Sequence, residues 1–159
     1  MLPWERSWAC LEKSLALTKA RLGVMRMATN KEKIRVLLSK SRLDAHDRGI
    51  RVLARALRDE GMEVVFTEYR FPEEIVKVAL EEDVNIIGIS FSSGGQVRVC
   101  TEVIRLLREK GMDTPLIIGG GIPPFDVPKL EEIGVKGVFR GGSKLKESTD
   151  CIRNVVAQK

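Results

Sequence analysis

The chain has 159 residues, enough for one domain with a sizeable core. It is 43% hydrophobic and 31% charged, the balance of a soluble globular protein, and its apolar runs are too short and interrupted to span a bilayer. The net charge of +5 is uneven: residues 1–26 hold five Lys/Arg against two Asp/Glu, leaving the rest near neutrality, and the eight aromatics do not interleave with basic residues, so nucleic acid is not an expected partner.

The start of the chain lacks the apolar core and small-residue cleavage site of a secretory signal. Cys10, Cys100 and Cys151 show no Cys-x-x-Cys or Cys/His spacing. Free thiols and a cytoplasmic location are therefore expected. In residues 1–32, Trp8, Leu11, Leu15, Leu22 and Met25 recur at helical spacing, which predicts an amphipathic helix that packs on the main domain or docks on a partner. Met27-Ala-Thr-Asn-Lys-Glu-Lys would also serve as an ordinary protein start, which makes the preceding piece an extension.

Residues 33–159 alternate strand and helix. Ile34–Ser39 is the first strand, followed by a helix over Gly49–Glu60 with Ile50, Leu53, Ala54 and Leu57 inward. Arg48, Arg51, Arg55 and Arg58 form a basic stripe on it, read as a solvated face or a docking surface. Gly61 ends this helix. Glu63–Thr67 is strand two, Pro72–Glu82 a helix, and Asn85–Ser90 strand three. Val97–Lys110 is a helix, Pro115–Ile118 strand four, Val127–Ile133 a short helix, Val135–Phe139 strand five, and Leu145–Ala157 the last helix. Such alternation predicts a parallel sheet with right-handed crossovers, specifically a three-layer, flavodoxin-like α/β fold with strand order 2-1-3-4-5.

In that fold ligands bind beyond the carboxyl ends of the strands. The loop after strand one carries Asp44 and His46, the only histidine in the chain. An acid beside a histidine can hold one ring nitrogen and leave the other for a metal. The pair is too sparse for zinc but would suit a metal whose other positions a macrocycle fills. Asp44 or Asp47 could equally cap the next helix. The loop after strand three begins with Ser90-Phe91-Ser92, whose two serines are expected on one side of the chain. Gly119-Gly120-Gly121 follows strand four, and Arg140-Gly141-Gly142-Ser143 follows strand five. Glycines there leave slots against bare backbone. No Gly-x-x-x-x-Gly-Lys phosphate loop is present, no Gly-x-Gly-x-x-Gly follows strand one, and strand three ends in serine where a phosphoryl receiver would need an acceptor aspartate.

Asp44-Ala45-His46-Asp47-Arg48-Gly49 is similar to the Asp-x-His-x-x-Gly signature of cobalamin-binding domains. Together with Glu73-Glu74-Ile75, Gly119-Gly-Gly-Ile-Pro-Pro124 and Phe139-Arg-Gly-Gly-Ser143, it resembles the cobalamin domain of methylmalonyl-CoA mutase and related acyl-CoA mutases, from about Lys33 onward. The resemblance implies an adenosylcobalamin cofactor held base-off and His-on, with His46 as the lower axial cobalt ligand, Asp44 on its other ring nitrogen and Lys40 near that acid. Arg48, Gly49, Ser90, Ser92, Gly120, Gly121, Gly142 and Ser143 would line the channel for the displaced nucleotide tail. Ser92 stands where the family has leucine, and Ala45 where it often has glycine. The acyl-CoA-binding barrel of such mutases is not in this chain, so the resemblance implies a small subunit that acts with a large barrel subunit. A corrinoid carrier of a methyltransferase system, or a cobalamin-binding regulator or chaperone, would share the histidine motif.

Overall fold

The computed structural model of the protein describes residues 33–159, so the amphipathic helix expected before them lies outside the described residues. The elements run β1 (Arg35–Ser41), α1 (Arg48–Asp59), β2 (Glu63–Tyr69), α2 (Pro72–Glu81), β3 (Ile86–Phe91), α3 (Gln96–Glu109), β4 (Leu116–Gly120), α4 (Val127–Ile133), β5 (Gly137–Arg140) and α5 (Leu145–Ala157). A single 3-10 turn, Pro124–Asp126, precedes α4. The five strands are parallel, in the expected order β2-β1-β3-β4-β5.

Alternation along each strand divides the core between two faces. Leu37, Ile87, Ile89, Leu116 and Ile118 face α2, α3 and α4, packing with Ile75, Val76, Val103, Leu107 and Leu130. Val36, Leu38, Ile86 and Ile117 face α1 and α5, packing with Ile50, Ala54, Leu57 and Ile152. A buried side chain of this size contributes about 1.5–3 kcal/mol through removal from water, so the double-sided strands β1, β3 and β4 dominate the hydrophobic stabilisation.

Helix ends are set by one device used repeatedly. After α1, the Gly61 N–H bonds the Arg58 carbonyl at 2.9 Å and the Met62 N–H bonds the Leu57 carbonyl at 3.0 Å. Gly111 and Met112 repeat this after α3, and Gly134 and Val135 after α4. This is the Schellman closure: a left-handed residue turns the chain, and an apolar side chain follows it, buried at Met62 and Val135 and half-buried at Met112.

Boundaries move where pairing overrides composition. Gly119 and Gly120, expected in a loop, lie inside β4 because the parallel ladder pairs them with Ser90 and Phe91. β1 likewise continues through Lys40 and Ser41, paired with Glu68 and Tyr69. These extensions carry the strand ends, and the polar residues on them, up to the ligand-binding rim.

Candidate cobalamin site

The chain leaves β1 through a tight turn in which the Asp44 N–H bonds the Ser41 carbonyl at 3.0 Å. The Asp44 side chain then folds back: its Oδ1 accepts the His46 backbone N–H at 2.8 Å. This is an Asx turn, available to a short acidic side chain two residues before the donor. The same oxygen lies 3.1 Å from His46 Nδ1. Asp44 is buried, with 3% of its side chain exposed, whereas His46 is 82% exposed. The carboxylate therefore orients the ring from inside and leaves Nε2 to the outside, the arrangement in which an imidazole offers one nitrogen to a metal.

Burial is the largest single influence on Asp44 and pushes its carboxyl up. The Ser92 hydroxyl, the His46 N–H and the His46 ring together outweigh it and hold the carboxyl below the ordinary aspartate value of 3.8. Lys40 is buried too, but its ammonium donates to the Asp44 carbonyl at 2.8 Å rather than to the carboxylate. It also reaches Glu68 at 3.4 Å. Lys40 thus fixes the loop backbone, and Asp44 fixes the ring. Asp47, the residue before α1, makes no side-chain cap. It pairs with Arg51 at 2.6 Å instead.

Behind this loop, between the strand ends and α1 and α5, lies a cavity of about 520 Å³. Arg48, Gly49, Ser90, Gly120, Gly142 and Ser143 all line it. Its floor is Leu38, Gly88, Ile117 and Phe139, and Arg140 joins Arg48 among its polar lining. The size is that of a small-molecule pocket, and an apolar floor with cationic and hydroxyl groups suits an elongated ligand carrying both an aromatic and an anionic part.

The glycines report what the cavity is shaped for. A Cβ at Gly88 would lie 2.8 Å from the tip of the Leu38 side chain, which would have to shift to admit it. Gly49 and Gly141, in contrast, have ordinary φ, and a Cβ added to either would meet nothing within 4 Å. Protein packing does not require these two bare positions at the pocket, and they leave the backbone open to a ligand's approach.

Asp44 and His46, in the loop after β1, form a separate polar cluster with Lys40 near the end of that strand. Gly121 and Ser92 are not in the cavity lining. Ser92 does not join Ser90 in the lining: β3 ends at Phe91, and strand alternation stops with it. Gly121 is taken up in closing the β3 end, where its N–H bonds the Phe91 carbonyl at 2.8 Å. The residues that sequence reasoning missed are Gly88, Arg140, Leu145 and Ser148. Gly88 had a signal, since it interrupts the apolar run Ile86-Ile87-Gly88-Ile89 where close approach would be needed.

Other chemistries find little support in the described residues. Burial pushes the Cys100 thiol up to about 12, so it stays protonated. No group of three or more His, Cys, Asp or Glu that could hold a metal stands together among them. No helix among them is long and apolar enough to cross a membrane.

The family described as B12 binding domain matches residues 34–147. The small subunit of 2-hydroxyisobutanoyl-CoA mutase from Aquincola tertiaricarbonis is 43% identical over 126 residues, 78% of this chain and 93% of that subunit. Methylmalonyl-CoA mutase of Escherichia coli K12 is 33% identical over 134 residues, 83% of this chain but only 19% of the longer protein. A cobalamin-binding protein from Desulfitobacterium hafniense DCB-2 shares the fold, with a TM-score of 0.65 at 19% identity over 78% of this chain and 60% of that one. The chain belongs to the B12-binding domain family, alongside the mutase small subunit and the matching domain of the larger mutase.

Proposed function

We propose that this chain is the cobalamin-binding small subunit of an adenosylcobalamin-dependent acyl-CoA mutase and holds its cofactor base-off and His-on. The observation that carries the reading is the Asp44–His46 pair: a buried carboxylate on Nδ1, a ring open at Nε2, and a pocket behind the loop. His46 would bind cobalt from below. Gly49, Ser90, Gly142 and Ser143 would line the channel for the displaced nucleotide, with Arg48 and Arg140 beside its phosphate. When bound, adenosylcobalamin supplies the radical that starts a carbon-skeleton rearrangement; the protein's share is to bind it, orient it and set its lower ligand.

The match to 93% of a small subunit, against 19% of a full-length mutase, supports a separate acyl-CoA-binding subunit as partner. Substrate choice would belong to that subunit. The sequence motifs point to methylmalonyl-CoA, and the 43% identity favours 2-hydroxyisobutanoyl-CoA.

Adenosylcobalamin added to the purified chain should give the visible spectrum of a base-off, histidine-ligated corrinoid. The His46→Ala variant should lose that form. A wild type that binds no corrinoid, or a variant with an unchanged spectrum, would reject the assignment. Turnover of the two thioesters by the chain mixed with a large mutase subunit then decides the substrate.

A further inference from the structure

A second cavity, of about 400 Å³, lies at the other end of the parallel sheet, where β4 and β5 begin and α3 and α5 end. It shares no lining residue with the pocket behind the His46 loop. Its volume falls within the range of small-molecule sites, about 300–1,000 Å³. One side is apolar, with Leu107, Met112, Leu116 and Val155. The other carries three cations: Arg108 from the last turn of α3, Lys136 from the residue before β5, and Lys159 beyond α5. Against them stands one acid, Asp113.

The backbone brings these cations together. The Lys136 N–H bonds the Leu116 carbonyl at 2.8 Å, which fixes that lysine beside the start of β4. Arg108 Nη2 lies 3.8 Å from where a Cβ on Gly134 would stand, so the guanidinium rests over the turn that leads to Lys136. All three side chains are exposed. None of the ion pairs among the described residues includes them or Asp113. The helix ends close their own carbonyls. The Lys110 and Met112 N–H groups bond those of Leu106 and Leu107, and the Gln158 and Lys159 N–H groups bond those of Asn154 and Val156. Cations from three separate elements thus line one partly apolar recess without a carboxylate to neutralise them.

We propose that this cavity binds a small organic anion, a single acid headgroup on a short apolar body. The headgroup, a carboxylate or a phosphate, meets Arg108, Lys136 and Lys159, and the body lies on Met112 and Val155. A guanidinium fork suits either headgroup, and apolar walls screen the attraction less than open water does. Asp113 opposes the headgroup and limits how much negative charge the site accepts. The proposal is independent of the reading of His46, because the cavity uses none of the cofactor residues.

The full chain without cofactor, labelled at its methionine methyl groups, reports on the site by NMR. Met112 lines the cavity, and Met62, packed with the α1 side of the core, is the control. A Met112→Leu variant identifies the signal. Hexanoate or hexyl phosphate should shift Met112 and leave Met62 in place, with half-saturation at about 1 mM or below. The tighter of the two names the headgroup. Hexylamine, with the same body and the opposite charge, should leave Met112 in place. Arg108→Glu and Lys136→Glu should each weaken binding about fivefold or more, and Asp113→Asn should tighten it about twofold. Added adenosylcobalamin should leave the affinity unchanged. An unmoved Met112 signal at roughly 20 mM of either anion would overturn the proposal. So would hexylamine binding as well as hexanoate, or charge reversals without effect on affinity. Competition by the corrinoid would overturn it too, since the anion would then occupy the cofactor pocket.

Discussion

Asp44 links the site to the stability of the domain. Its carboxyl titrates below the ordinary aspartate value of 3.8 in the folded chain. Between the folded and unfolded values the unfolded chain binds more protons, so stability falls as pH drops through that window. The contribution is fully present above about pH 5 and is lost progressively below it. Asp44→Asn should therefore flatten the acid limb: urea midpoints measured from pH 6 down to pH 3 should fall less steeply than in the wild type. Two glycines separate folding from binding at the same scale. Gly120 has φ +114, and a Cβ there would sit 2.0 Å from the Phe91 carbonyl oxygen. Gly120→Ala should destabilise by about 3 kcal/mol or more, because both strain and a backbone clash oppose it. Gly49 lies in the first turn of α1 with open space around it. Gly49→Ala should raise the stability of the cofactor-free chain by about 0.5–1 kcal/mol while weakening corrinoid binding, a split that urea unfolding and spectral titration would read.

α1 shows how one element divides its work along its length. Its buried stripe, Ile50, Ala54 and Leu57, docks it on β1 and β2. The arginine stripe opposite runs from the pocket outward. Arg48, at the first turn, lines the cavity. Arg51 is held by Asp47 and lies 6.0 Å from the centre of the Phe66 ring. Arg55 and Arg58 are exposed further along. A charge reversal should accordingly depend on position. Arg48→Glu should weaken corrinoid binding several-fold. Arg55→Glu with Arg58→Glu should leave the corrinoid spectrum unchanged and shift stability by no more than about 0.5 kcal/mol per site, as for solvated surface groups. Parallel spectral titrations of the two variants compare them directly; equal losses would mean that the stripe acts as a single charged surface.

Across the whole molecule, the hydrophobic periodicity carried most of the fold. Short apolar strands spaced by amphipathic helices and closed by glycines leave few architectures, because strands buried on both faces must be parallel and crossovers must be right-handed. The order of the five strands, the helix ends at Gly61 and Gly111, and the strand ends from which Ser90, Gly120 and Ser143 reach one pocket were legible in this way. The sequence by itself also marked His46 as the single imidazole, in a motif of the B12-binding family. Only the tertiary structure could decide which polar groups touch. Lys40 is four residues before Asp44, yet its ammonium meets the carbonyl and not the acid, because β1 holds it under the loop. Ser90 lines the pocket from within β3, whereas Ser92, past the strand end at Phe91, does not. Gly88 and Arg140 enter the pocket from strands whose pairing brings them beside Leu38 and Gly120. Periodicity specifies faces, since each side chain obeys a local geometric repeat. Contacts between loops depend on where strands from distant parts of the chain stop, and that is settled only when the sheet is assembled.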